Sequence, residues 1–109
     1  MAEIPFVPVS ASGGTVKFGT YTGNGAESQT INLGVTPKWV LVFLYGSQTM
    51  YGSQSVSGGL ALQGYPATCS NSTSPAITIV SNGFKVYLNS FSITNKDGYG
   101  IYFTYLYGT

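Results

Sequence analysis

The 109-residue chain is short of charge: it has no His and no Arg, and only 6% of its residues are charged. Glu3, Lys17, Glu27, Lys38, Lys85, Lys96 and Asp97 carry all of it, for a net charge of +1. An ordinary soluble domain is about 25% charged. Without clustered cations there is no phosphate-binding face, so nucleic acid is not an expected partner. Without His, general acid–base work would fall to three scattered carboxylates, of which Glu27 and Asp97 sit in expected turns where charge is simply solvated. Cys69 is the single cysteine, so it has no internal disulfide partner, and as a nucleophile it lacks a base. No His/Cys cluster has metal-ligand spacing, and Asn95-Lys96-Asp97-Gly98 is too short for a calcium loop. No enzyme activity, metal or cofactor is therefore expected.

Long hydrophobic runs are also missing. The longest, 39–45, is far below the ~20 residues of a membrane-spanning helix. The N-terminus lacks the basic, apolar and small-residue regions of a secretory signal, so synthesis in a reducing cytosol is expected, without membrane insertion.

What remains is rich in Gly (15) and Tyr (9), and 43% hydrophobic. The area scaling law puts roughly two thirds of the unfolded chain's surface inside the fold, enough for one core. Residues 1–14 read as an extended arm, since Pro5 and Pro8 oppose helix and ladder pairing and Gly13-Gly14 forms a joint. Its Ile4, Phe6, Val7 and Val9 either strap onto the chain's own domain or dock into a neighbouring subunit. Residues 15–109 read as one all-β domain with no substantial helix. Strand patterns run over 16–21, 29–33, 38–45, 76–80, 84–88, 91–94 and 100–107.

Two hairpins are expected. A two-residue turn at Asn82-Gly83 sets Ile79 against Val86 and Ile77 against Leu88. A three-residue loop, Lys96-Asp97-Gly98, sets Ile93 against Ile101 and Phe91 against Phe103. The architecture expected is an antiparallel β-sandwich, jelly-roll-like. In strand 38–45 both faces are apolar: Val40, Val42 and Leu44 on one, Trp39, Leu41, Phe43 and Tyr45 on the other. A second sheet covers one face, and something else must cover the other. The arm and the long loop could wrap over it, or identical subunits could pack there through Trp39, Leu41 and Phe43; near-zero charge favours association.

Residues 46–75 form a long polar stretch with one short strand candidate, 59–63. Tyr51, Tyr65 and Tyr99, with Gln54 and Gln63 nearby, are candidates for stacking on the CH faces of neutral saccharides, because rigid amphipathic rings among small polar residues suit such ligands.

The run Gly19-Thr20-Tyr21-Thr22-Gly23-Asn24-Gly25, then Gln29-Thr30-Ile31-Asn32-Leu33-Gly34-Val35-Thr36-Pro37-Lys38-Trp39, resembles a β-module of tail-fibre, baseplate and other virion appendage proteins of bacteriophages and prophages. The aromatic closing strand 102–107 is similar to the end of such modules. The likeness spans roughly 18–45 and 76–107, and Val35 stands where the family usually has Phe. It implies a non-enzymatic virion structural protein (tail fibre, baseplate or decoration subunit) that contributes to host-surface glycan attachment. It further implies a homo-oligomer, a trimer above all, held to other virion proteins by the arm. The module begins close to Met1, so a stand-alone subunit is expected. The alternative is a free-standing, soluble, lectin-like carbohydrate-binding protein.

Overall fold

The computed structural model describes residues 15–45, 50–51, 55–69 and 74–109, with the backbone alone at 50, 51 and 55. The arm candidates Ile4, Phe6 and Val7 and the loop residue Gln54 lie outside them, as does the side chain of Tyr51. The described residues form strands β1 (Val16–Tyr21), β2 (Ser28–Asn32), β3 (Trp39–Leu44), β4 (Met50–Tyr51), β5 (Ser55–Val56), β6 (Gly59–Leu62), β7 (Ala67–Thr68), β8 (Pro75–Val80), β9 (Gly83–Asn89), β10 (Ser92–Ile93) and β11 (Phe103–Gly108), with no helix.

They build the expected β-sandwich. One sheet has the order β1-β11-β3-β6. The other runs β4-β5-β10-β9-β8-β7, with β2 also pairing β9. All pairs are antiparallel except the single β5–β10 contact, Val56 with Ser92. Between the sheets lie Tyr21, Val40, Val42, Ala61, Phe103 and Tyr107 from the first and Val56, Ala76, Ile77, Phe84 and Val86 from the second. Tyr21 stacks on Phe103 at 5.0 Å and meets Phe84 of the opposite sheet edge-on at 5.9 Å. Such aromatic contacts add to area burial and fix the two layers against each other.

The β8–β9 hairpin forms one residue earlier than expected. Its loop is Ser81-Asn82, and Val80 pairs with Gly83, Ile79 with Phe84 and Ile77 with Val86. The expected register differs by two positions, so Ile77, Ile79 and Val86 keep their shared face. The reason is β2. Gly83 pairs with Asn32, and a Cβ there would overlap the Ile31 carbonyl oxygen. The glycine therefore serves strand approach, while Asn82 takes the left-handed backbone, φ 64°.

The second expected hairpin does not form. Ser92 and Ile93 pair with Asn89 and Leu88 of β9, whereas β11 lies between β1 and β3 in the other sheet. Residues 94–102 instead cross from sheet to sheet, pinned by buried polar groups. The Thr94 hydroxyl reaches the Ala76 carbonyl at 2.7 Å and accepts the Tyr87 N–H at 3.0 Å. Asn95, fully buried, accepts from the Asn24 N–H and the Gln29 amide and donates to Asn24 Oδ1 and the Ala26 carbonyl. This holds the Gly23-Asn24-Gly25 turn against the opposite sheet. The polar stretch 46–75 is also more structured than expected: beside β6, which falls on the expected 59–63, it contributes β4, β5 and β7, two-residue strands too short to show a period.

Candidate functional site

Alternation along four neighbouring strands puts every second side chain of the first sheet on its outer side. The ladder registers align these side chains into rows. Phe18, Leu106, Leu41 and Leu60 form one row across β1, β11, β3 and β6. Val16, Gly108, Trp39 and Leu62 form the next. On the other side come Thr20, Thr104 and Phe43, and then Tyr102 and Tyr45 just beyond the strand ends. A Cβ on Gly108 would collide with the Trp39 indole, so the glycine lets that ring lie across β11.

No position in these rows carries a charge. Phe18 is 79% exposed, Val16 62% and Leu60 53%, while Trp39, Leu41, Phe43 and Leu106 are half-buried by one another. Four strands at about 4.8 Å and six residues at about 3.3 Å give a face of about 400 Å². That is the scale of the largest apolar patch on a typical monomer, which is often a functional surface.

At one end the Tyr45 and Tyr102 rings stack at 4.5 Å, and the Tyr45 N–H donates to the Tyr102 carbonyl at 3.0 Å. Desolvation by the neighbouring ring and the hydroxyl hydrogen bond to Tyr45 push the Tyr102 phenol up from its ordinary value.

Trp39, Leu41 and Phe43, singled out in the sequence, thus lie together on one face. Tyr45, placed on the same face of that strand from sequence, lies with them, and Val16, Phe18, Leu60, Leu62 and Tyr102 join them without having been assigned to it from sequence. Their signal was present as apolar residues two apart in 16–18 and 60–62, but the strands that bring them together are distant in the chain.

The saccharide candidates are not gathered. Tyr65, exposed, lies past β6, exchanging backbone hydrogen bonds with Leu62 at the Trp39 end of the face. Tyr99, fully exposed, precedes Tyr102 at the opposite end, about 20 Å along the strands. Gln63 donates its amide to the Pro37 carbonyl at 2.9 Å, a contact that secures the start of β3. Cys69 is buried, and burial pushes its thiol up while the Ser92 hydroxyl acts in the other direction. Comparison with protein-family models, with curated proteins and with solved structures finds no match to this chain.

Proposed function

We propose that this chain is a non-enzymatic structural subunit of a bacteriophage virion appendage, assembling with copies of itself through the outer face of the β1-β11-β3-β6 sheet. The observation that carries the assembly reading is the charge-free apolar face itself. Covering its exposed Phe, Leu and Val side chains returns about 25 cal/mol for each Å² of apolar surface removed from water. Depletion of charge with enrichment in aromatics is the compositional mark of an interface core. The virion context rests on the resemblance of the 19–39 run and the closing aromatic strand to appendage modules. In that setting the arm, with Ile4, Phe6 and Val7, docks to other virion proteins.

Sedimentation velocity from low to high micromolar concentration tests the assembly. The expected result is an oligomer that a Leu41→Glu, Leu60→Glu double variant reduces to a folded monomer. A native chain that stays monomeric across that range overturns the reading. Detection of the chain in purified particles, lost on deletion of residues 2–12, tests the virion context and the arm.

The stacked Tyr45–Tyr102 pair favours a second reading, a soluble carbohydrate-binding protein, because an open phenol face suits the CH face of a sugar. Binding of neutral oligosaccharides by a monomer, abolished by Tyr45→Ala, would decide for it.

A further inference from the structure

The two edges of the first sheet differ. At β6 the chain folds back, and Leu62 and Tyr65 exchange N–H···O=C bonds of 2.9 Å. At β1 no strand pairs with the far side among the described residues. The Thr109 N–H donates to the Thr15 carbonyl, and the ladder continues from there with Val16 opposite Gly108. Residues 15, 17, 19 and 21 thus direct their backbone groups to β11, and Val16, Phe18 and Thr20 direct theirs away from the sheet. Three N–H and three C=O groups along an extended edge are a template for a further strand.

We propose that the occupant is the segment directly preceding β1 in the chain: residues 7–11 pair antiparallel with residues 16–20, the connection being made at Gly13-Gly14. Residues 1–14 lie outside the described residues, and the pairing follows from their sequence and from the edge they lead into. An antiparallel partner must present a hydrogen-bonding residue to each of Val16, Phe18 and Thr20, and those three partners are two apart. Were they even-numbered, a short connection would set Pro8, which has no N–H, opposite Phe18 or Thr20. Odd-numbered partners turn the Pro8 nitrogen away from β1 to the new outer edge, where proline is tolerated and blunts further pairing. Keeping both glycines in the connection, where positive φ is freely adopted, sets Ala11 opposite Val16, Val9 opposite Phe18 and Val7 opposite Thr20. Pro5, next in the series, ends the ladder beside Thr22, just past the end of β1 at Tyr21. The same register puts Ser10 against Lys17 on the inner side and the three apolar side chains on the outer face. They extend the rows of Val16, Phe18 and Thr20 by a fifth strand, again without charge. The inference goes beyond the assembly reading and holds for a single copy. Residues 1–6, with Ile4 and Phe6, lie past the end of this ladder and are left for the docking proposed above.

Residue-resolved amide hydrogen exchange tests the pairing, in the full chain and in its Leu41→Glu, Leu60→Glu variant, so that contacts between copies are not the source of protection. The Val16, Phe18 and Thr20 amides are expected to exchange at least about tenfold more slowly than in the same chain lacking residues 2–12. Lys17 and Gly19, bonded to β11, keep their protection in both and report that the shortened chain is folded. Val9→Pro removes the donor facing Phe18 and is expected to deprotect the Phe18 amide, whereas Ser10→Pro, whose nitrogen faces away from β1, is not. Exchange of the three outward amides at the shortened chain's rate overturns the pairing. Sensitivity to Ser10→Pro without sensitivity to Val9→Pro overturns it equally. Sedimentation of the native chain decides the assembly reading separately, so the two fail independently.

Discussion

Asn95 joins two segments that are about seventy residues apart in the chain through four side-chain hydrogen bonds. Buried polar groups in such a network are costly to orphan, at about 1–3 kcal/mol each. Asn95→Ala is therefore expected to destabilise the fold by about 3 kcal/mol, read as a lower midpoint in urea unfolding. Asn95→Asp is expected to be worse than a simple isostere, because it loses the donors to Asn24 Oδ1 and the Ala26 carbonyl and buries a charge. Tyr21 is the comparable residue on the aromatic side of the core. Its hydroxyl donates to the Thr94 carbonyl at 2.6 Å, and burial pushes its phenol well above the ordinary value near 10. Burial and the neighbouring Tyr107 act on Tyr105 in the same direction. Above about pH 10 the unfolded chain releases these protons while the folded chain holds them. Stability is then expected to be independent of Tyr21 ionisation below pH 10 and to fall as pH rises beyond it. Tyr21→Phe is expected to cost about 1–2 kcal/mol at neutral pH and to flatten that alkaline fall in thermal unfolding scans.

Strand existence was legible where the alternation is long, as in 16–21, 38–45, 76–80 and 84–88. Pairing was less so. The β8–β9 turn is displaced because Gly83 is required by the backbone of β2, a strand some fifty residues earlier, and no local turn preference contains that information. Gly83→Ala is accordingly expected to destabilise by more than a helix- or turn-propensity change would, about 2 kcal/mol or more, through displacement of β2. Hydrogen exchange localises the effect: amides of 28–32 should lose protection before those of β11. Apolar matching of Phe91 with Phe103 suggested a hairpin that does not exist. The segment between them contains Thr94 and Asn95, whose buried hydrogen bonds to Ala76 of β8 and to Ala26 hold the chain against the second sheet instead of letting it turn back as a hairpin.

For the whole molecule, the proposed association surface carries no charge and is expected to respond to salt differently from an ionic one. Raising sodium chloride screens exposed charges over a few ångströms but has nothing to screen on this face. Oligomer mass by light scattering is expected to be unchanged between low and high chloride, and to rise in sulfate, which strengthens apolar burial. A steep loss of mass with added chloride would place the contact elsewhere, at Lys17, Lys38 or the acidic turns.

From composition and alternation alone came the all-β class, the shortage of charge and the two-sided greasiness of the Trp39 strand. These properties reside in single residues and their immediate neighbours, so a linear reading reaches them. Which strands lie side by side came only from the tertiary structure. Phe18, Leu106, Leu41 and Leu60 form one row because β1, β11, β3 and β6 pair in that order. Long-range pairing is selected by the burial of both sheets at once and by buried hydrogen bonds between distant segments, such as Tyr21 to the Thr94 carbonyl and Asn95 to Asn24 and Ala26, a global balance that no stretch of sequence contains.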